Sequence, residues 1–285
     1  MSTLIFAVWE GKIRIRGTNR PPFPTNWIKE AVPMKKWSLY LALYFCICLL
    51  AACAAQPAPE EKPGPAPSEP AVTTCRVVTV ENNQLLLAGA DGNRNIYALS
   101  LEDTGGIQPG ALVEVTYDGT ILETWPAQFG GVSAVKTVEE DFDDRCALYL
   151  KVLEDLWEVD SGLNGGLTYI GVDLSQTSLS DSERAAVAWA FAGRHGGELV
   201  TGTWDELADQ GYIDRENLYW EDGILFSITE KDEPVYFMPE GMAAVTFDAE
   251  KWRSGLGAYF FCGCTSIQSA DGHWDGYSVS SEAIS

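Results

Sequence analysis

The sequence has 285 residues and a formal net charge of −22, from 41 acidic and 19 basic residues. Such a surface repels phosphate backbones and anionic headgroups, which argues against nucleic acid as a partner. The charge suits cationic ligands or metal ions, although solubility alone is a sufficient explanation for it.

A short apolar run follows a pair of lysines near the start of the chain. Residues 37–52 are apolar except for Ser38, which makes a run of 16 residues. This is shorter than the ~20 residues that a helix needs to span a bilayer. Positive charge before such a run and small residues after it are typical of a cleaved signal peptide. We therefore interpret residues 34–52 as a signal peptide; an uncleaved anchor or a buried helix is the alternative.

The run ends in Leu50-Ala51-Ala52-Cys53, which resembles the lipobox of bacterial lipoproteins at all four positions. The resemblance implies cleavage before Cys53 and attachment of diacylglycerol to its sulfur. Two acyl chains give stable attachment to a membrane, whereas one chain is marginal. The expected location is the extracytoplasmic face of a cell membrane, where this anchor holds the protein to the lipid bilayer of a Gram-positive cell.

Residues 1–33 precede this leader and lack the apolar core of a signal peptide. They contain three arginines and the stretch Pro21-Pro22-Phe23-Pro24. We interpret them as an extension upstream of the true start at Met34. Beyond residue 52, 12 basic and 39 acidic residues remain, so the predicted mature chain has a formal net charge of −27.

A spacer is predicted over residues 53–74, immediately after the leader. Six prolines fall within residues 54–74. Proline fixes φ and has no backbone N–H, so such a segment is extended and semi-rigid, at ~3.1 Å per residue. We expect it to hold the folded part of the chain up to ~60 Å from the lipid.

Residues 75–138 predict a small all-β barrel. Apolar runs alternate with turn signals at spacings of ~8–12 residues, and five strands in so short a segment suit a barrel that hides its edges. The stretch Pro109–Pro126 resembles the OB-like barrels that follow the lipobox in many Gram-positive lipoproteins. An OB-like barrel would suggest binding of nucleic acid, but its only basic residues, Arg76, Arg94 and Lys136, are too few for that.

A helix is predicted at the start of the second part of the chain, residues 139–285. Apolar residues from Phe142 to Trp157 recur at steps of three and four, which gives one apolar face over residues 139–160. The acidic residues 139–141 would stand at its first turn, where the helix dipole favours negative charge.

The rest of the second part predicts two further helices and then strands. Ser180–Glu183 and Thr203–Glu206 have the capping-box pattern of a helix start. From Leu218 onward the pattern is β, including the segment Val235–Met238. Helices followed by an antiparallel sheet predict an α+β domain behind the barrel, so the fold class expected of the whole chain is α+β.

Four cysteines follow the spacer: Cys75, Cys146, Cys262 and Cys264. In an exported chain they allow three disulfide pairings, among which the sequence does not choose. Cys262 and Cys264 are two apart in a predicted strand and should point to one face. Two adjacent thiols suit a soft metal, but no further ligand stands near them in the sequence. We predict buried free thiols or one structural disulfide, with no metal and no cofactor.

The sequence contains two histidines, His195 and His273, and many carboxylates. A Ser-His-Asp or Cys-His site needs one histidine within hydrogen-bond reach of a nucleophile, and no nucleophile motif accompanies either of them. Paired carboxylates can hydrolyse glycosides. In a chain this acidic such pairs are inevitable and carry little information.

The candidate ligand-binding residues are tryptophans beside acids at predicted turns. They are Trp220, Glu221 and Asp222 in one turn and Trp274 and Asp275 in another. An exposed indole ring with neighbouring acceptors would stack on a sugar or face a cationic group. The alternative is that both rings fold back to cover the sheet.

These features favour a non-enzymatic binding or interaction role at the cell surface, for an unknown small-molecule, glycan or protein ligand. A secreted hydrolase that acts on cell wall or polysaccharide through carboxylates is one alternative, and a structural envelope protein is another. A deep cleft lined by two carboxylates and His273 would favour the hydrolase. A shallow aromatic patch would favour binding.

Overall fold

The described chain begins with an antiparallel sheet of five strands. The computed structural model describes residues 69–232, 242–274 and 276–285. Outside these ranges lie the predicted leader, Cys53, most of the predicted spacer, the predicted strand Val235–Met238 and Asp275. The strands of this first sheet are β1 (Ala71–Glu81), β2 (Gln84–Gly89), β3 (Ile96–Ser100), β4 (Ala111–Tyr117) and β7 (Ala134–Phe142), in the order β3-β2-β1-β4-β7. A short hairpin of β5 (Ile121–Leu122) and β6 (Gln128–Phe129) separates β4 from β7 in the sequence.

Two predicted boundaries of this region differ from the structure. β1 begins at Ala71, inside the predicted spacer, because its first residues already pair with β4, from Ala71 opposite Tyr117 onward. β7 continues to Phe142, which lies opposite Ala111, so the predicted domain boundary at residue 138 falls inside a strand. Sheet pairing, which depends on residues distant in sequence, decides both ends.

The first sheet is covered on both faces at β2, which explains the continuous apolar run of that strand. Leu85 and Leu87 join an inner cluster together with residues of β1, β3 and β4. Leu86 and Ala88 point the other way and belong to the main core, which the helices share. A strand that is covered on both sides reads as a run of apolar residues instead of an alternating pattern.

Three α-helices occur in the described residues: α1 (Arg145–Glu158), α2 (Asp181–His195) and α3 (Trp204–Asp209). α1 starts six residues later than predicted, because residues 139–141 belong to β7, so no acidic residue stands in its first turn. The capping boxes predicted at Ser180 and Thr203 are confirmed, with reciprocal bonds to Glu183 and Glu206. None of the helices in the described ranges is long and apolar enough to cross a bilayer.

The second sheet has six strands and covers the opposite side of α1 and α2. They are β8 (Tyr169–Gln176), β9 (Glu198–Thr201), β10 (Gly223–Lys231), β11 (Ala244–Ser254), β12 (Gly257–Ile267) and β13 (Ser281–Ile284), in the order β13-β12-β11-β10-β8-β9. β8, β9 and β10 pair in parallel, and the remaining pairs are antiparallel. The prediction that helices precede a wholly antiparallel sheet is therefore wrong in this detail, because α2 and α3 lie between parallel strands as crossover connections.

The described chain is thus mostly sheet with few helices, which agrees with the α+β class in its coarse form. The main core lies between the second sheet and the outer face of the first, where α1 and α2 contribute residues such as Leu153 and Phe191. The other face of the second sheet is covered in part by α3 and the segment that follows it, through Leu207, Trp220 and Leu225.

A buried lysine holds the second sheet to the end of α1. The last carbonyl groups of a helix have no partner within the helix. Lys251 of β11 is fully buried, and its Nζ donates to the carbonyl oxygens of Trp157 at 3.3 Å, Val159 at 2.7 Å and Asp160 at 3.2 Å. Burial lowers the pKa of Lys251 to about 8. The lysine therefore acts as a C-terminal cap that the helix's own sequence does not contain.

Candidate functional site

Trp220, the first candidate for ligand binding, is part of the core. Its side chain is fully buried, and its ring lies against the backbones of Gly171 and Gly223, where an added Cβ would come within 2.8 Å and 1.9 Å of ring carbons. The neighbouring carbonyl groups serve the fold: Glu221 accepts from Arg253, and Asp222 accepts from Thr168 and Tyr169. Of the two alternatives for this turn, the structure shows the ring folded back over the sheet and not the exposed indole, since the glycines leave a flat backbone surface on which the ring packs.

Trp274, the second candidate, is also buried, at 6% exposed. Its Nε1 donates to Asp143 at 2.9 Å and its backbone N–H to Asp144 at 2.8 Å. The guanidinium of Arg145 lies 5.0 Å from the ring centroid. The ring therefore fastens its loop to the start of α1 and offers no stacking surface to a ligand.

His273 stands beside the same two carboxylates, and these are already occupied. Its Nδ1 lies 3.0 Å from Oδ2 of Asp144, whose other oxygen accepts from Trp274. Asp143 accepts from Trp274 and pairs with Arg145 at 3.3 Å. The combination of a histidine and two carboxylates that would favour a hydrolase is present here, but its polar groups bond to one another and connect the loop to α1.

His195 has a structural environment as well. Its ring stacks on Trp157 at 3.8 Å between centroids, and its Nε2 lies 2.8 Å from Oε2 of Glu154. The other oxygen of Glu154 accepts from Arg194 at 2.9 Å, and Arg194 also binds Glu81 of β1. This group of charges joins α1, α2 and the first sheet.

The four cysteines are free thiols in the structure. Burial raises the pKa of Cys75 and of Cys264 to about 12, and raises that of Cys146 well above its usual value, so none of these three is poised as a nucleophile. Cys264 belongs to the core, whereas Cys262 lines the opposite, open face of the second sheet. The expectation that the pair shares one face is wrong, because a bulge at Gly263, where φ is +61°, shifts the alternation by one residue.

The part of the second sheet that α3 leaves uncovered forms a shallow cleft of about 220 Å³. We call it the open-face cleft, and its polar and aromatic lining consists of Ser227, Thr229, Lys231, Asp248, Glu250, Phe260, Phe261 and Cys262. These residues come from three neighbouring strands. Ser227 of β10 and Phe260 of β12 lie on either side of Glu250 in β11, in the sheet register. The side chains therefore converge by pairing across the sheet, not by proximity in sequence.

The two carboxyl groups of the open-face cleft have opposite environments. Burial tends to raise the pKa of Asp248. The backbone N–H of Gly263 at 2.8 Å and the ammonium of Lys231 at 3.0 Å outweigh this effect and hold the pKa below its usual value. Among the described residues, Glu250 has no hydrogen-bond or ion-pair partner, and burial alone raises its pKa. A half-buried carboxyl group without a partner is costly to keep, and such groups occur preferentially at functional sites.

The arginines that line two other depressions of the described surface are already paired with carboxylates. A depression of about 410 Å³ lies between the first sheet and α2, where Arg194 binds Glu81 at 2.5 Å. Another, of about 210 Å³, lies at the carboxyl ends of β8 and β9, where Arg184 binds Asp181. We therefore regard the open-face cleft as the candidate site, since it presents a carboxyl group, that of Glu250, for which the described part of the chain supplies no partner.

Sequence reasoning missed this site, although a signal for it was present. In the predicted strand around residues 243–252, Asp248, Glu250 and Trp252 alternate with Phe247, Ala249 and Lys251, so period two places two acids and an indole on one face. Trp220 and Trp274 are the more conspicuous tryptophans in the sequence, because large apolar rings are unusual at predicted turns.

The described residues contain no group of three or more His, Cys, Asp or Glu side chains placed to hold a metal ion. Comparison of the chain with protein-family models, with curated proteins and with solved structures finds no match. The chemistry of the open-face cleft and the sequence of the predicted leader are therefore the observations from which a function can be inferred.

Proposed function

We propose that this protein is a lipoprotein anchored to the extracytoplasmic face of a cell membrane, with a non-enzymatic binding role. The lipobox-like Leu50–Cys53 and the prolines of residues 54–70 support the anchor and the spacer. The first strand begins at Ala71, directly after the last proline of that spacer. Diacylglycerol on Cys53 would hold the chain to the lipid bilayer, with the folded part exposed to ligands outside the cell.

We also infer that the first sheet is an OB-like barrel. An OB-fold is a five-stranded, partly open barrel of Greek-key type. The sheet has five antiparallel strands with β3 and β7 at its edges. Next to β6, Ala127 bonds to both Ile96 and Ala98 of β3 and covers part of that edge. Together these features support a barrel that is closed only in part.

The observation that carries the binding role is Glu250 in the open-face cleft. A carboxylate without a counter-charge, beside the ring of Phe260 and the hydroxyl groups of Ser227 and Thr229, matches an organic amine or ammonium group. The surrounding acidic surface would draw such a cation towards the cleft. The ligand class that fits is a small cationic molecule or the side chain of a basic peptide.

Replacing Glu250 with glutamine should lower the affinity for amines at least tenfold. A charge-assisted hydrogen bond contributes about 1.5–3 kcal/mol, and 1.4 kcal/mol corresponds to a factor of ten. The measurement is a thermal-shift and calorimetry series on residues 53–285 with spermidine, cadaverine and a neutral oligosaccharide. Because burial raises the pKa of Glu250, binding should strengthen as the pH rises through that raised pKa and the carboxylate forms.

The matched control is Glu102→Gln, which makes the same change of charge on an exposed residue outside the cleft. It should bind amines as the wild type does. Equal binding by Glu250→Gln and the wild type would show that the cleft is not the site. A panel without any response from the wild type would favour the third possibility, a structural envelope protein.

A secreted hydrolase remains the second candidate, and one observation favours it. Asp248 and Glu250 lie on the same face of β11, where residues two apart are ~6.6 Å from each other. One pKa is lowered and the other raised, which is the pattern of a base and an acid in glycoside hydrolysis. Release of sugar from cell-wall fragments by the wild type, lost in both Asp248→Asn and Glu250→Gln, would replace the binding role by this one.

The anchor is tested separately from the ligand. Cys53→Ala removes the sulfur that would carry diacylglycerol, so the protein should move from the membrane fraction to the soluble fraction of expressing cells. Cys262→Ala, which removes a thiol from the open-face cleft, should leave the protein in the membrane fraction. If Cys53→Ala remains with the membrane, the lipoprotein assignment is wrong.

A further inference from the structure

The hairpin of β5 and β6 exposes three large apolar side chains on one short segment. Ile121 is 36% exposed, Leu122 49% and Trp125 60%. Scattered apolar residues on a surface need no explanation, but a contiguous apolar group with an indole marks an interaction site. Indole rings are enriched at membrane–water interfaces, where one part of the ring is buried and the other remains wet.

The position of this hairpin in the fold indicates which surface it contacts. Ala71, the first residue of β1, lies opposite Tyr117, the last residue of β4. Ile121 follows Tyr117 by four residues, or at most ~14 Å, and Tyr117 is one strand spacing of ~5 Å from Ala71, so the hairpin begins within ~20 Å of the point where the fold joins the spacer. Only residues 54–70 separate Ala71 from the proposed lipid on Cys53. The end of the fold that exposes the apolar hairpin is therefore the end that is tied to the bilayer.

We propose that the hairpin formed by residues 121–129 rests in the interfacial layer of the bilayer that holds the anchor, with Ile121, Leu122 and Trp125 in contact with lipid. This inference rests on the proposed anchor at Cys53. The tether keeps the hairpin at high local concentration near the lipid, so a small apolar group suffices for contact.

The contact also has a consequence for the site. A fold held to the membrane at two points, the anchor and the hairpin, has fewer orientations available to it than a fold held by a spacer alone. The second sheet and its open-face cleft belong to the opposite end of the sequence and contribute no residue to the hairpin. Contact through residues 121–129 would therefore hold the domain at the lipid without using any residue of the cleft.

The test is quenching of tryptophan fluorescence by brominated lipid. The lipidated protein, purified from membranes, is reconstituted into phosphatidylcholine vesicles with or without bromine on the acyl chains. The predicted mature chain contains seven tryptophans, so contact through Trp125 alone should quench about one seventh of the emission. Trp125→Phe should abolish this quenching. Trp204→Phe, which removes a half-buried ring beside the second sheet, should retain it.

The double variant Ile121→Ser/Leu122→Ser keeps Trp125 but removes its apolar neighbours, and it should reduce the quenching at least twofold. No quenching in the lipidated wild type, or quenching that persists in Trp125→Phe, would overturn the proposal while leaving the anchor intact. Failure of Cys53→Ala to leave the membrane would instead contradict the anchor. The last outcome is a dimer that the soluble Cys53→Ala protein forms and that is lost when Trp125→Phe is added. That result would assign the hairpin to contact with a second copy of the chain and would also overturn the proposal.

Discussion

Replacing Lys251 with methionine should lower the free energy of unfolding by about 3 kcal/mol or more. Methionine has a similar length and apolar stem, so packing is largely kept while all three hydrogen bonds to the end of α1 are lost. Among the described residues, the carbonyl oxygen of Val159 would lose its donor, whereas that of Trp157 would still accept from Asn164 at 2.9 Å and that of Asp160 from the backbone N–H of Leu163 at 3.0 Å. A hydrogen bond from a charged group contributes about 1.5–3 kcal/mol, so the loss of three such bonds accounts for the expected effect. Urea denaturation of residues 53–285 measures the loss.

The control is Lys151→Met. Lys151 lies exposed on α1, where it pairs with Asp155 at 2.8 Å across one turn. An exposed ion pair contributes little, so this variant should change the free energy of unfolding by about 0.5 kcal/mol or less. Equal effects of the two substitutions would contradict the capping role of Lys251.

The pH dependence gives a second measurement on the same pair of proteins. The pKa of Lys251 falls from its ordinary 10.5 to about 8 in the folded state. Between these pH values the unfolded chain binds more protons than the folded one, so the contribution of Lys251 to stability rises with pH in this window and is constant below it. The difference in unfolding free energy between wild type and Lys251→Met should therefore grow from pH 8 to pH 10. A difference that shrinks would mean that the three carbonyl groups hold the pKa above its usual value.

The second large effect is expected at Gly223, beneath Trp220. A Cβ at this position would lie 1.9 Å from Cε2 of the indole, and the fully buried ring has no solvent into which it can move. Forcing extra atoms into a well-packed core costs about 1–3 kcal/mol, occasionally more. We therefore expect Gly223→Ala to lower the free energy of unfolding by about 3 kcal/mol. Urea denaturation of the variant gives the value directly.

Gly193→Ala is the matched control for the same chemical change. Gly193 lies in α2, its φ is negative, and an added Cβ there has no atom within 4 Å in the described structure. Alanine favours a helix over glycine by about 0.5–1 kcal/mol, so this variant should be neutral or more stable. In a Trp220→Leu background the penalty of Gly223→Ala should shrink, because the ring that it displaces is gone. A full penalty in that background would assign the effect to the backbone of Gly223 instead.

The local features of this chain are the ones that the sequence predicts correctly. The capping boxes at Ser180 and Thr203 form as expected, because every atom of such a motif lies within four residues. The strands of the first sheet are predicted for a similar reason, since turn residues and apolar runs mark them locally. The limits of the spacer and of α1 are missed by a few residues, because pairing of β1 and β7 with β4 decides them.

The failures concern residues whose partners are far away in the chain. Trp220 and Trp274 occur in turns, yet both rings are buried, one against two glycines and the other against the start of α1. Cys262 and Cys264 separate onto opposite faces because a single bulge shifts the period. The parallel arrangement of β8, β9 and β10 depends on where α2 and α3 cross over, which no local pattern reports.

The amino-acid sequence by itself determined the acidic composition, the helix starts at Ser180 and Thr203 and the coarse α+β class, because composition and short-range spacing carry each of them. The lipobox-like leader and the proline-rich spacer are predictions from the same kind of local pattern. Only the tertiary structure decided that Lys251 caps α1 and that Glu250 lies in an open cleft without a partner among the described residues. It alone also placed the apolar hairpin beside the start of the fold. These features depend on sheet register and on the packing of one layer against another, which bring together residues that are distant in sequence. Lys251 and the end of α1, for example, are about 90 positions apart.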